Sequence, residues 1–365
     1  MRTLLSLMLV AACGHLAAAA ELTTPWDATP SATTPRYAET VAWCRQLADA
    51  HPTVALTTFG RSPEERDLPL VIWDADGLRD PAAVHAAGRT VVLIQACIHA
   101  GESCGKDAGM TLVRDLAELG GPADLCVLFI PIFNVDGHER FGPYNRVNQN
   151  GPREMGWRVT AQNLNLNRDF LKADAPEMRA WLALWNAWSP HFLVDIHSTD
   201  GADYQYAISY GLELHGNLDA GLTGWLTGYL GAMEAAMAAD GLPLVPYVSF
   251  RRWHDPAAAW RAGWPDPASA RATPRCATGP ACSSRPTCSS PTPCGWRRPG
   301  RCSTTPWPTR GRRARTAGPG RGRRSPCHVV GVPGRAAAAA LGAAGHGRLP
   351  SDPFLGIPTR RSPAN

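Results

Sequence analysis

Short, nearly unbroken apolar runs punctuate the first two thirds of the chain at Thr90–Ala96, Leu125–Phe133 and Phe192–Ile196. A run without polar alternation is what a strand covered on both faces requires. Two further strand-like runs, Thr53–Phe59 and Leu68–Trp73, precede them. Between the runs the spacing changes to that of helices. Val41, Cys44 and Leu47 share one face of a helix predicted from a Thr34-Pro35 start to Ala50, since proline suits a first helical position. Met110, Leu112, Val113 and Leu116 line a second helix over Ser103–Leu119, Asp174 and Pro176 open a third that ends at Trp188, and a fourth covers Leu218–Ala239. Strands alternating with helices predict an α/β fold, a mostly parallel mixed sheet sandwiched by helices. Ligands in such folds bind beyond the carboxyl ends of the strands.

Composition changes this picture only towards the C-terminus. Over 365 residues, 44% hydrophobic and 18% charged, the chain can bury a sizeable core. Its net charge of +5 hides an asymmetry: residues 268–365 hold seventeen Arg, fifteen Pro and one acidic residue, Asp352. That tail carries +16 and leaves −11 on residues 1–267, which removes any case for a basic, nucleic-acid-binding globular part. The expected organisation is an export signal over 1–20, an incomplete α/β domain over 21–256 and an Arg/Pro/Ala/Gly-rich tail over 257–365, disordered because it has too little apolar surface to offset backbone entropy. Three origins fit the tail: a reading-frame shift near Ala257–Arg261, a disordered cationic extension that meets anionic polymers, or a Cys-rich disulfide module. A shifted frame would leave the sheet without its last strands, with exposed edges and poor solubility.

Met1-Arg2 followed by the apolar run Leu4–Ala12 reads as that signal. Two processing sites compete: Ala18-Ala19-Ala20 before Glu21, and a lipobox-like Val10-Ala11-Ala12-Cys13 that would place a lipid anchor on Cys13. Either sends the protein out of the cytoplasm, to the periplasm, the outer envelope or the medium, and the anchor would be its one membrane contact. Disulfides are then permitted, and a pair among Cys44, Cys97, Cys104 and Cys126 is open.

The candidate chemistry sits at the ends of the buried runs. After Val91–Ala96 come Ile98-His99-Ala100-Gly101-Glu102-Ser103, and the strand ending at Ile196 delivers His197. Two histidines and one glutamate with a vacant fourth position form the ligand set of a catalytic zinc site. The bland alternative is a helix-start turn, with Glu102 complementing the helix dipole and His99 exposed. Between the two segments lie Asn134-Val135-Asp136-Gly137, Trp157-Arg158 and Asn165-Leu166-Asn167-Arg168-Asp169-Phe170.

In that order, these segments resemble the zinc metallocarboxypeptidases, the carboxypeptidase A-like M14 peptidases, over about Thr34–Trp253. Ile98–Ser103 is similar to the family's H-x-x-E segment, Phe133–Gly137 to its N-P-D-G turn with Val135 replacing Pro, and Leu166–Phe170 to its L-N-R-N-F segment. The resemblance implies one Zn2+ held by His99, Glu102 and His197, a peptide substrate whose terminal carboxylate is clamped by Asn167 and Arg168, and an oxyanion-stabilising arginine. Arg158, in the W-R pair, is the choice for that last role; Arg146 and Arg153 stay open. A monomer without nucleic-acid partners is expected. Two departures stand out. Asn165 replaces the Asp that orients the first zinc histidine in the family, a loss for which Asp195 is the candidate to compensate, and the late-strand Glu that acts as general base is missing, since no Glu follows Glu234. An N-acyl amino acid deacylase of the aspartoacylase type and a non-catalytic zinc-containing envelope peptide-binding protein are the rival readings. Translation of the encoding DNA in its other two frames beyond Pro256 is expected to uncover an apolar strand bearing Glu; its absence from both frames would refute the frame shift.

Overall fold

The computed structural model describes residues 22–24, 32–149, 151–198, 206, 208–212, 218–252, 255–262 and 281–286. The export signal, with Cys13 and the Ala20 cleavage position, lies outside the described residues, as does most of the tail. Among the described residues ten strands and six α-helices follow one another: α1 (Tyr37–Ala50), β1 (Val54–Arg61), β2 (Asp67–Asp74), α2 (Pro81–Ala86), β3 (Thr90–Gln95), α3 (Cys104–Leu119), β4 (Leu125–Ile130), α4 (Val135–Glu139), α5 (Pro176–Trp188), β5 (Phe192–Ile196), β6 (Ile208–Gly211), α6 (Ala220–Ala239), β7 (Leu244–Pro246), β8 (Val248–Arg252), β9 (Asp255–Ala262) and β10 (Ala281–Pro286).

Eight strands form one mixed sheet in the order β1-β2-β4-β3-β5-β10-β6-β7, while β8 and β9 form a separate antiparallel pair. At its centre β4, β3 and β5 run parallel, and β2 joins β4 antiparallel. The apolar runs behave as two-sided strands should. On β3, Val92 and Ile94 enter a core shared with α1, α3 and α6, while Val91 and Leu93 enter a second core beneath α5, packed with Trp181 and Trp185. Helices thus cover both faces, as the hydrophobic pattern predicts. No helix among the described residues is long and apolar enough to cross a membrane.

Three expectations need correction. The first helix begins at Tyr37, not at Thr34-Pro35, because Thr34 Oγ1 donates instead to Asp107, at 3.1 and 3.0 Å from its two oxygens. Beside it the Lys106 ammonium, fully buried, donates to the Pro35 carbonyl and lies 3.6 Å from Asp107. Second, the tail is not uniformly without regular structure. Asp255–Ala262 pairs with β8, and Ala281–Pro286 runs parallel to β5 and antiparallel to β6. Strand pairing draws on backbone groups that every residue but proline supplies, and the facing edges of β5 and β6 offer unpaired donors and acceptors. The inserted segment is Ala-Cys-Ser-Ser-Arg-Pro, with no carboxylate. Third, Cys44, Cys97, Cys104 and Cys126 are buried free thiols, and no disulfide links them. Burial pushes the Cys44 and Cys126 thiols up to about 12.

The α3 helix lies against the sheet because it presents glycine there. A Cβ at Gly109 would stand 2.2 Å from the Phe129 ring on β4. Gly109→Ala is therefore expected to lower unfolding free energy by about 1–3 kcal/mol, the usual cost of overpacking, read from urea denaturation. At the first turn of α5, Glu177 is buried with both carboxylate oxygens unpartnered. Burial, reinforced by Asp136 and Asp169, raises its carboxyl to about 7. A folded-state value above the unfolded one means that stability falls as pH rises between the two, from about 4.5 to about 7. Glu177→Gln should accordingly raise the melting temperature more at pH 8 than at pH 5; an equal shift at both would contradict the assignment.

Candidate metal centre

The strands β3 and β5 are parallel neighbours, so their carboxyl ends open on the same edge of the sheet. His99 follows β3 by way of Cys97, whose φ of 55° turns the chain out of the strand, and Glu102 stands just before α3. His197 is the first residue beyond β5. The three are no more than 2% exposed, which excludes the reading of His99 as a surface residue. Glu102 is the hub. Its Oε1 lies 3.0 Å from His99 Nδ1 and its Oε2 lies 2.8 Å from His197 Nδ1. The Ser198 backbone N–H donates to Oε2 at 3.1 Å. The two rings stand 4.9 Å apart between centroids, and one ligand atom from each of the three residues falls within 4.8 Å of the others.

Arginine surrounds the carboxylate. Arg146, itself buried, places Nη2 2.8 Å from Glu102 Oε1, and Arg158 places Nη1 3.7 Å from the same oxygen while remaining 41% exposed. Gly101 makes the Arg146 approach feasible: a Cβ there would meet the Gly156 carbonyl at 2.5 Å and Arg146 Cγ at 2.7 Å. Arg153 is exposed and makes no bond to the cluster. Burial alone would raise the Glu102 carboxyl, but His99, Arg146 and His197 hold it well below the usual carboxylate range.

The histidines differ by one neighbour. Burial takes the His99 imidazole down to about 4 despite Glu102. At His197 burial acts in the same sense, but the Asp195 and Glu102 carboxylates outweigh it and the imidazole is raised. Asp195 Oδ2 lies 2.7 Å from His197 Nε2. The carboxylate that orients a ligand thus stands on the second histidine. Asn165 does not supply it for the first: its Oδ1 accepts from Asn167 N–H at 3.0 Å and caps a single 3-10 turn over Leu166–Arg168, while His99 Nε2 is buried with no hydrogen-bond partner.

On that turn Asn167 is buried, with Nδ2 3.3 Å from His197 Nε2, and Arg168 is exposed, its Nη1 donating to the Asn167 carbonyl at 2.6 Å. The turn therefore carries Asn167 to the cluster, while Arg168 bonds within the turn itself. Asn134 and Asp136, which belong to the turn after β4, serve the scaffold. Asn134 Oδ1 accepts from Gly137 N–H, its Nδ2 donates to the Arg158 carbonyl, and Asp136 accepts from Ser62, Glu64 N–H and Arg66. Sequence reading missed Gln95. The lone polar residue in an apolar run was its signal; its Nε2 donates to Asp195 Oδ1 at 3.0 Å.

Two imidazole nitrogens and a buried carboxylate within 4.8 Å of one another match the donor set of zinc. An α/β sandwich with such a cluster at its parallel strand ends offers a metal ion a place where ligands bind in such folds. Residues 40–210 match the zinc carboxypeptidase family. Among solved structures, the chain is similar to a protein from Shewanella denitrificans OS-217 assigned as carboxypeptidase A, with a TM-score of 0.52 and 18% identity over 69% of this chain and 60% of that one. A metallo-carboxypeptidase from Burkholderia cenocepacia gives a TM-score of 0.51 and 16% identity over 84% of this chain and 66% of that one. At these identities the likeness concerns the fold, and the chain spans less than two thirds of either protein. No curated protein matches it in sequence.

Proposed function

We propose that the chain is an exported, zinc-dependent metallocarboxypeptidase-type hydrolase that acts on the C-terminal residue of a peptide. The observation that carries this reading is the convergence of His99 Nδ1 and His197 Nδ1 on the buried Glu102 carboxylate. These three residues would hold zinc, which when bound supplies an activated water and polarises the scissile carbonyl. Arg158 reaches from solvent to the cluster and is the candidate to meet the developing oxyanion, whereas Arg146 is engaged inside by the ion pair with Glu102. Asn167 and Arg168 would receive the terminal carboxylate, a planar anion that suits the guanidinium fork.

Proton transfer is the weak link in the chain. Asp195 is engaged by His197 and Gln95, and Glu234, the last Glu in the sequence, accepts from the Tyr210 hydroxyl at 2.9 Å. Neither is placed to act as general base. This favours a second reading, in which the chain binds a C-terminal peptide without turning it over.

The full chain is expected to take up one zinc per molecule, and His99→Ala combined with His197→Ala to abolish uptake, measured by metal analysis after dialysis. Metal retained by that double variant would overturn the assignment. With a Glu-bearing C-terminus restored, release of the C-terminal amino acid from a blocked dipeptide supports the peptidase. Cleavage confined to a simple N-acyl amino acid points to a deacylase, and peptide binding without turnover points to the binding protein.

A further inference from the structure

The two strands that lead to His99 and His197 begin at the other end of the sheet, and a side chain takes part in their pairing there. We propose that His191 is an acid-sensitive clasp between the amino ends of β3 and β5: as the neutral imidazole it accepts the Val91 N–H, and on taking up a proton it lets that bond go.

The contact is reciprocal. His191 directly precedes β5, and Val91 is the second residue of β3. The His191 N–H donates to the Val91 carbonyl at 2.8 Å, and the Val91 N–H donates back to His191 Nδ1 at 3.0 Å. A backbone N–H can only donate, so Nδ1 must hold a lone pair and the ring hydrogen sits on Nε2. Ladder pairing of the two strands starts one residue further on, at Val92 and Phe192. The imidazole thus extends the β3–β5 pairing by one residue with a side-chain acceptor. Val91 is fully buried, so water cannot readily take the place of Nδ1.

A second imidazole stands beside it. His85, on α2, lies 5.8 Å from His191 between ring centroids and is tilted by 55°. His85 Nε2 is 2.8 Å from the Trp188 carbonyl, an oxygen that can only accept, so a second proton on His85 leaves this bond intact. A second proton on His191 sets N–H against N–H. Of the charged residues on the surrounding elements, Arg89, before β3, pairs with Asp74 and Asp76, and Asp124, before β4, meets β3 through its backbone carbonyl, which accepts from the Thr90 N–H. The end of α5 brings Trp188, followed by Ser189 and Pro190, none of them charged. Burial first, then the positive charge of His85, holds the His191 imidazole below its ordinary value of 6.5. With a folded-state value below the unfolded one, the clasp contributes fully above pH 6.5, and its contribution is lost as pH falls from there towards the folded-state value.

The test uses the full chain at pH 8 and at pH 5, the range over which histidine titrates. Nitrogen-15 NMR of histidine-labelled protein reports the His191 ring, and hydrogen exchange at the Val91 amide, corrected for its intrinsic pH dependence, reports the bond. At pH 8 the parent ring is expected to carry its hydrogen on Nε2 alone. Protection of the Val91 amide should fall about 10-fold for each pH unit below the folded-state value. His191→Asn, whose Oδ1 can take the place of Nδ1 without titrating, should keep that protection at both pH values and gain in melting temperature relative to the parent as the solution is acidified. His85→Ala should move the release to higher pH. A hydrogen on Nδ1 in the parent at pH 8 overturns the proposal whether or not the variants fold. Equal Val91 protection at the two pH values overturns it as well, as does a melting difference between parent and His191→Asn that does not change with pH.

Discussion

A carboxylate removed from water must be met by charge or by donors, and Glu102 is the place where this chain accepts that constraint. Two imidazoles, a guanidinium and a backbone N–H close on its two oxygens. Taking a charge of this kind out of water costs several kcal/mol unless partners compensate, so the segments that deliver them are bound to one another's positions. The turn after β3, the residue after β5 and the loop carrying Arg146 have no shared sequence neighbourhood. They meet because each has a debt of charge or hydrogen bonding that only the others can settle.

The sheet provides the accuracy. Parallel pairing of β3 with β5 in direct register places Gln95 beside Asp195, and one pleat further on the same strand direction delivers His197. The polar residues on the sheet's inner face are therefore extensions of the centre into the core. Trp181 joins the two: its ring on α5 lies in the core beneath the sheet, and its Nε1–H donates to Gln95. The apolar core and the polar pair beside His197 are in this way joined at one residue.

Much of this was legible in the sequence. Thr90–Ala96 and Leu125–Phe133 read as two-sided strands because every second residue feeds a different core, and both do so, although the second ends at Ile130, where the chain turns to present Asn134 and Asp136. His99, Glu102 and His197 were readable from strand ends and spacing. What was hidden depended on partners distant in sequence. Nothing near Thr34 reveals that its hydroxyl is taken by Asp107 rather than by a helix start. Asn165 looks like a weakened ligand-orienting group in the one-dimensional pattern, yet its side chain caps its own turn. The short β6 and β7 have too few residues to show a period, and β10 has a composition that argues against a strand; its pairing comes from the edges on either side. The α2 helix was announced only by Asp80-Pro81, a cap and a first-turn proline, without an apolar face long enough to register.

The buried Lys106 gives the fold a defined N-terminal limit. Its ammonium is answered by the Pro35 carbonyl and by Asp107, and Asp107 in turn by Thr34. Loss of the chain upstream of Thr33 would leave that arrangement whole, but it would take the Thr23 carbonyl from Trp43 Nε1–H and the Leu22 carbonyl from Arg114. Removal of two or three residues more strips a cation in the first turn of α3 of its acceptor, immediately after the glutamate that organises the centre. The segment before α1 and the integrity of the site are thus coupled through a lysine 71 residues beyond the carbonyl that receives it.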